Sequence, residues 1–161
     1  MEIYLLRHGD AEDSLRIPDG ERSLTGEGRK KLGRILLRAR DAGAGASLIL
    51  SSPLRRALET AELAAGLLGT QAQIMKTNAL LPEAAPNEVW AEIRTHRDER
   101  QLLLAGHEPL LSQAAAYLLG APAAQIEMRK GSLARIDLEQ SGPQPHGVLR
   151  WLLSAELAGR E

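Results

Sequence analysis

Three stretches of this chain are short apolar runs that do not alternate with polar residues: EIYLL (2–6), SLIL (47–50) and QLLLA (101–105). A strand with one face in water alternates, whereas a strand covered by helices on both faces does not, and such strands belong to parallel sheets. Each run is followed by a polar turn and then by a helical pattern. That repetition predicts strand–helix units around a mostly parallel sheet.

The helices have recognisable ends. The first starts after Thr25, an N-cap, and runs through GEGRKKLGRILLRARDAG with Gly43 as its stop. The second is expected to use Ser52 as N-cap and Pro53 as its first helical residue. Its residues Leu54, Ala57, Leu58, Ala61, Ala64, Ala65 and Leu68 form one apolar stripe. A third helix begins at Pro109 with LLSQAAAYLLG, and a short one covers residues 87–96. Near the end, residues 132–139 and 147–154 read as two strands joined by the turn formers QSGPQPH (140–146), a hairpin. With no internal repeat, linker or low-complexity segment, the expected architecture is one α/β domain over 1–161. It has three layers, αβα, and an antiparallel hairpin at one edge of the sheet.

Composition removes several classes of function. Twenty basic residues face 21 acidic ones, so no global field attracts nucleic acid or an anionic membrane. An anion site must therefore be a local concentration of arginine, since Lys30, Lys31, Lys76 and Lys130 are the four lysines. The absence of cysteine removes disulfides, thiolate metal sites and cysteine nucleophiles. No segment approaches the roughly 20 apolar residues of a membrane span, and the first apolar run is interrupted by Arg7. The chain reads as cytosolic.

In open α/β sheets, ligands bind outside the carboxyl ends of the strands. The three buried runs lead directly into RHG (Arg7, His8, Gly9), SSPLRR (Ser51 to Arg56) and AGHEP (Ala105 to Pro109). Two histidines and up to three arginines thus converge on one end of one sheet, while His96 and His146 lie elsewhere. A lone loop histidine or an arginine early in a helix is ordinarily just solvated, but independent surface residues have no reason to share a crevice. Guanidinium forks suit phosphate oxygens, and helix N-termini add backbone donors for the same anion. A neutral imidazole can attack phosphorus, and neighbouring arginines both keep it neutral and stabilise the transferring phosphoryl group. Gly9 is read as letting the chain turn away without a side chain crowding the anion.

These motifs resemble the histidine phosphatase superfamily, the phosphoglycerate mutase-like fold. RHG stands at residues 7–9, the serine–proline–x–x–arginine–alanine motif with its following threonine is SPLRRALETA, and the second histidine lies in AGHEP. The likeness runs from LLRHGD through RSLTGEG to LLLAGHEPLL. Within the superfamily, the short length and the RHGDAE opening look most like the bacterial phosphohistidine phosphatases that lack lid insertions. The resemblance implies His8 as nucleophile and Arg7, Arg56 and His107 as the phosphoryl clamp. Helix geometry alone leaves Arg55 and Arg56 equivalent; the motif places its arginine just before Ala57, which selects Arg56. Many members place a glutamate between the second arginine and the second histidine, and Glu83 in LLPEAAP occupies a similar position. Asp10 and Glu108 also stand just after active strands, and Glu108 equally suits an N-cap of the third helix.

No cofactor or metal is implied: GEGRKK lacks the spacing of a phosphate-binding loop, and no histidine–carboxylate spacing suggests a metal site. The acidic DAED after RHG would order the following loop or repel acidic ligands at the rim. The expected partner is a phosphate-bearing substrate, foremost a phosphohistidine protein of bacterial signalling, with neither nucleic acid nor membrane. The alternative is a small-molecule phosphomonoesterase. A mutase needs a lid to keep water from its intermediate, and this chain is too short to supply one. A non-catalytic phosphate-binding module would be expected to have lost the nucleophile or a clamp arginine.

Overall fold

A computed structural model describes residues 1–139 and 142–159. Among them are six strands: β1 (Glu2–Arg7), β2 (Leu48–Ser51), β3 (Gln73–Lys76), β4 (Gln101–Gly106), β5 (Leu133–Asp137) and β6 (Val148–Leu153). Four α-helices accompany them: α1 (Gly26–Asp41), α2 (Arg55–Leu67), α3 (Pro86–Thr95) and α4 (Leu110–Leu118). The sheet order is β3-β2-β4-β1-β5-β6. β1, β2, β3 and β4 run parallel, and β5 is antiparallel to both of its neighbours. The expected hairpin is therefore β5–β6; Gln140 and Ser141 of its turn lie outside the described residues.

The three continuous apolar runs occupy the centre of the sheet because each face has its own helical cover. Ile3, Leu5, Leu48, Leu50, Leu102 and Leu104 point into one core with α3 and α4. Tyr4, Leu6, Ile49 and Leu103 point into the other with Leu32, Ile35 and Leu36 of α1 and Ala61 and Ala64 of α2. Period-two alternation thus survives as alternation between two cores rather than between core and water.

Local details differ from the sequence reading. The strand β3 has no strong apolar signal, its residues being largely exposed at the sheet edge. The second helix starts two residues later than Pro53, with Leu54 at its N-cap and Arg55 as its first residue. Ser52 lies outside the helix, where its hydroxyl accepts the Leu54 N–H and also meets His107. Gly9 is also constrained by packing. A Cβ there would lie 2.6 Å from Leu32 Cδ1 of α1, and a Cβ at Gly28 would run into the backbone of Asp10. The loop after β1 and the first turn of α1 approach this closely because neither glycine has a side chain. Thr25 caps α1 as expected, accepting the Gly28 N–H at 3.0 Å. No helix among the described residues is long and apolar enough to cross a membrane.

Candidate active site

The sheet register brings the two histidines together. Arg7 pairs with Gly106 across β1 and β4, and Leu6 and Ser51 both pair with Ala105. One step beyond this row, His8, His107 and Ser52 emerge side by side from three adjacent parallel strands. The His8 N–H donates to the Gly106 carbonyl and the Ser52 N–H to the Ala105 carbonyl, each at 3.0 Å. The imidazole centroids are 5.1 Å apart at 55°. Both rings are buried, His8 at 6% and His107 at 2% exposure.

Hydrogen bonds set the state of each ring. His8 Nδ1 lies 2.7 Å from the Gly9 carbonyl oxygen, which can only accept, so Nδ1 carries the proton and Nε2 keeps its lone pair. Burial pulls the His8 pKa down to about 4, opposed by the Gly9 carbonyl and reinforced by the charges of Arg56, Arg7 and Lys130. His107 is pulled down to about 3, first by burial, then by His8 and Arg56. At neutral pH both rings are uncharged. His107 Nε2 lies 2.7 Å from Ser52 Oγ, which already accepts the Leu54 N–H at 3.2 Å. Ser52 is thereby able to donate its own proton to Nε2. With Ser52 as the donor, the His107 proton sits on Nδ1, a buried atom without a partner.

The arginines are placed with equal specificity. Arg7 ends β1, and its Nη1 donates to the Met128 carbonyl at 2.9 Å. Arg56 sits in the first turn of α2, with its side chain 6% exposed. Arg55 is 58% exposed and faces Glu59 at 3.8 Å, so burial separates two neighbours that helix geometry could not. Thr60, four residues after Arg56, donates to the Arg56 carbonyl at 2.7 Å and accepts the Gly9 N–H at 3.3 Å. One hydroxyl thus ties α2 to the RHG turn. The Nε atoms of Arg7 and Arg56 are both buried without partners. Two guanidinium groups, a lone-pair nitrogen and unpaired buried donors are what a phosphoryl group in transfer requires.

The carboxylates fare differently. Glu83 is exposed in the turn after a short 3-10 segment, Asn78–Leu80, and makes no hydrogen bond or ion pair with the four clustered residues. Asp10 pairs with Lys31 at 3.0 Å. Glu108 accepts the Ser112 N–H at 2.7 Å, so it caps α4 from just outside the helix. The acidic stretch after RHG orders its own loop: Glu12 accepts the Ser23 N–H and Asp13 the Leu15 N–H. The carboxylate that reaches the site is Asp19, which holds Arg56 through its backbone carbonyl and its side chain. Nothing in the sequence singled it out, because its contact is made 37 residues away across the fold.

Residues 3–80 match the family model of the histidine phosphatase superfamily (branch 1). The chain belongs to the histidine phosphatase superfamily. An uncharacterized protein of a Picosynechococcus strain is 33% identical over 136 residues, covering 83% of this chain and 82% of that one. Among solved structures of the same fold, the protein histidine phosphatase SixA complexed with tungstate superposes with a TM-score of 0.85 at 24% identity. That match covers 96% of this chain and 97% of SixA. The α-ribazole phosphatase of Shigella flexneri superposes at 0.74 with 19% identity, over 96% and 97% of the two chains. The superfamily motifs RHG, SPLRRA and GHE coincide with the three strand ends that converge here.

Proposed function

We propose that this chain is a phosphohistidine phosphatase that works through a covalent intermediate on His8. The observation that carries the reading is the 2.7 Å contact from His8 Nδ1 to the Gly9 carbonyl, which leaves Nε2 unprotonated among two guanidinium groups. In the first step Nε2 attacks phosphorus; the new P–N bond forms as the bond to the leaving group breaks. Arg7, Arg56 and the Nδ1–H of His107 hold the equatorial oxygens as charge builds on them. Water then attacks phosphorus, the P–Nε2 bond breaks, and inorganic phosphate departs from a neutral imidazole.

A phosphohistidine on a histidine-phosphotransfer or phosphocarrier protein fits this site best. Its leaving group is an imidazole, which departs far more readily than an alkoxide and makes little demand on an acid. That suits a site where Glu83, the candidate acid, is exposed and unengaged. The chain between β3 and β4 packs α3 against the core under α4, through Leu80, Val89 and Ile93, rather than building a lid. A protein-borne phosphoryl group therefore has room to approach. The second reading, a small-molecule phosphomonoesterase, is favoured by the shared fold of the Shigella α-ribazole phosphatase.

The test is a side-by-side assay on a phosphorylated histidine-phosphotransfer protein and a panel of small phosphate esters that includes α-ribazole phosphate. The phosphoprotein is expected to be turned over with the highest kcat/KM, and His8→Ala to lose both turnover and covalent labelling from a radiolabelled phosphodonor. A small ester outrunning the phosphoprotein would reverse the substrate assignment. Labelling retained in His8→Ala would remove the nucleophile.

A further inference from the structure

Beside Arg7 lies a cavity of about 500 Å³ that contains neither His8 nor His107 in its walls. Five cations line it: Arg7, Lys31, Arg34, Arg129 and Lys130; two carboxylates, Asp10 and Glu156, oppose them. Three of the cations are already occupied. Arg7 is bonded to Met128, Lys31 pairs with Asp10, and Arg129 pairs with Glu127 and Glu156. Arg34 and Lys130 line the cavity and make no hydrogen bond or ion pair among the described residues.

The cavity is fixed to the phosphoryl site rather than merely near it. Arg7 is a wall of both. The segment that carries Arg129 and Lys130 is sewn to the nucleophile strand at three points. Arg7 Nη1 donates to the Met128 carbonyl at 2.9 Å, the Gly131 N–H to the His8 carbonyl at 3.0 Å, and the Arg7 N–H to the Ser132 carbonyl at 3.0 Å. Gly131 makes the turn possible with φ at +77°, a conformation that a side chain would strain. The charge of Lys130 is felt at His8 itself. On the far wall, Lys31 and Arg34 are one turn apart on α1, the helix that Gly9 and Gly28 bring against the RHG loop. A second hollow beside Arg7 sets Glu108 and Glu127 against Arg7 and Arg129, so its charges balance where those of the first cavity do not.

We propose that this cavity is a second anion subsite. It receives an acidic group that the substrate carries beside its phosphoryl group, foremost a carboxylate on the protein surface flanking a phosphohistidine. This rests on the phosphatase reading and narrows its substrate to one with two anionic points. A small bisphosphate presents the same chemistry from another source. Cations of this exposure act through attraction and orientation of the partner, effects that fade with salt.

The experiment reads affinity in His8→Ala protein, so that the answer does not depend on turnover. Two ligand pairs are compared by calorimetry at low salt. One is a histidine-phosphorylated peptide with acidic flanks against the same peptide with amide flanks; the other is p-phenylene bisphosphate against phenyl phosphate. The acidic peptide is expected to bind about tenfold more tightly than its amide twin. That ratio should collapse towards one when Arg34→Glu is added, a change that removes no ion pair among the described residues, and also at high salt. A preference confined to the bisphosphate supports the subsite and assigns it to a small molecule. Equal affinity within both pairs, or a preference indifferent to Arg34→Glu, overturns the proposal. The phosphatase reading is judged separately, by turnover in the wild-type chain.

Discussion

Arg56 donates from Nη1 to the Asp19 backbone carbonyl at 2.8 Å and from Nη2 towards the Asp19 carboxylate at 3.3 Å. Both donors on one edge of the guanidinium are thus engaged by an acidic residue from a short 3-10 segment, Asp19–Glu21. Arg22 and Arg56 together hold the Asp19 carboxyl below its ordinary range, so it stays ionised, and we expect it to compete with a phosphoryl oxygen for the same donors. Asp19→Ala should therefore bind inorganic phosphate about fivefold more tightly, the size of a pair with one partner in water. Calorimetric titration checks this. Unchanged or weaker binding would mean that Asp19 positions the clamp instead of competing for it.

Burial divides the two adjacent arginines. Arg56→Ala removes a buried donor set from the proposed phosphoryl site and is expected to lower kcat/KM by about a hundredfold or more. Arg55→Ala loses an exposed contact to Glu59 and should stay within about twofold of wild type. Comparable losses in the two variants would place the clamp on the wrong residue.

Ser52 is predicted to act through His107. Ser52→Ala leaves a buried ring nitrogen without its partner, a defect of about 1–3 kcal/mol, and lets the imidazole turn. We expect kcat to fall about tenfold with KM little changed, and Ser52→Thr to restore most of it. A loss of thermal stability with kcat intact would make Ser52 merely structural.

Depressed histidine pKa values make stability depend on pH in a defined direction. In the folded chain His8 and His107 stay neutral down to about 4 and about 3, whereas in the unfolded chain histidines take up protons near about 6.5. The unfolded state then binds more protons in between. Stability is intact above the unfolded value and falls with pH from there towards the folded values, for His8 alone by roughly 3 kcal/mol. Urea midpoints measured on either side of that window should separate in wild type and draw together in His8→Asn. Parallel behaviour of the two proteins would contradict the depressed value.

For Glu83 the prediction is a ranking. Glu83→Gln should slow hydrolysis of phosphomonoesters more than hydrolysis of phosphohistidine, because an alkoxide needs the proton and an imidazole needs it less. The reverse order, measured on one substrate of each kind, would remove Glu83 as the acid.

Much of the fold is already present in the order of residues. EIYLL, SLIL and QLLLA had to be central strands, since no other element buries so short an apolar run on both sides. RHG, SPLRRA and GHE come directly after those strands, so their meeting at one end of the sheet was legible in the chain itself. Boundaries were less so. Ser52–Pro53 has the chemistry of a helix start, but the helix begins at Arg55, and the serine hydroxyl also serves His107, a partner 55 residues away. Gly9, read as room for an anion, also makes room for Leu32.

Residue order was enough to specify the central strands and the identity of the clustered side chains, because strand periodicity and motif spacing are local properties. It could not say that Asp19 reaches Arg56, or that Lys31, Arg34 and Lys130 share one cavity. Those relations were fixed only when α1, α2 and the loops came to lie against the strand ends, and contacts between distant segments leave no periodic mark in the chain.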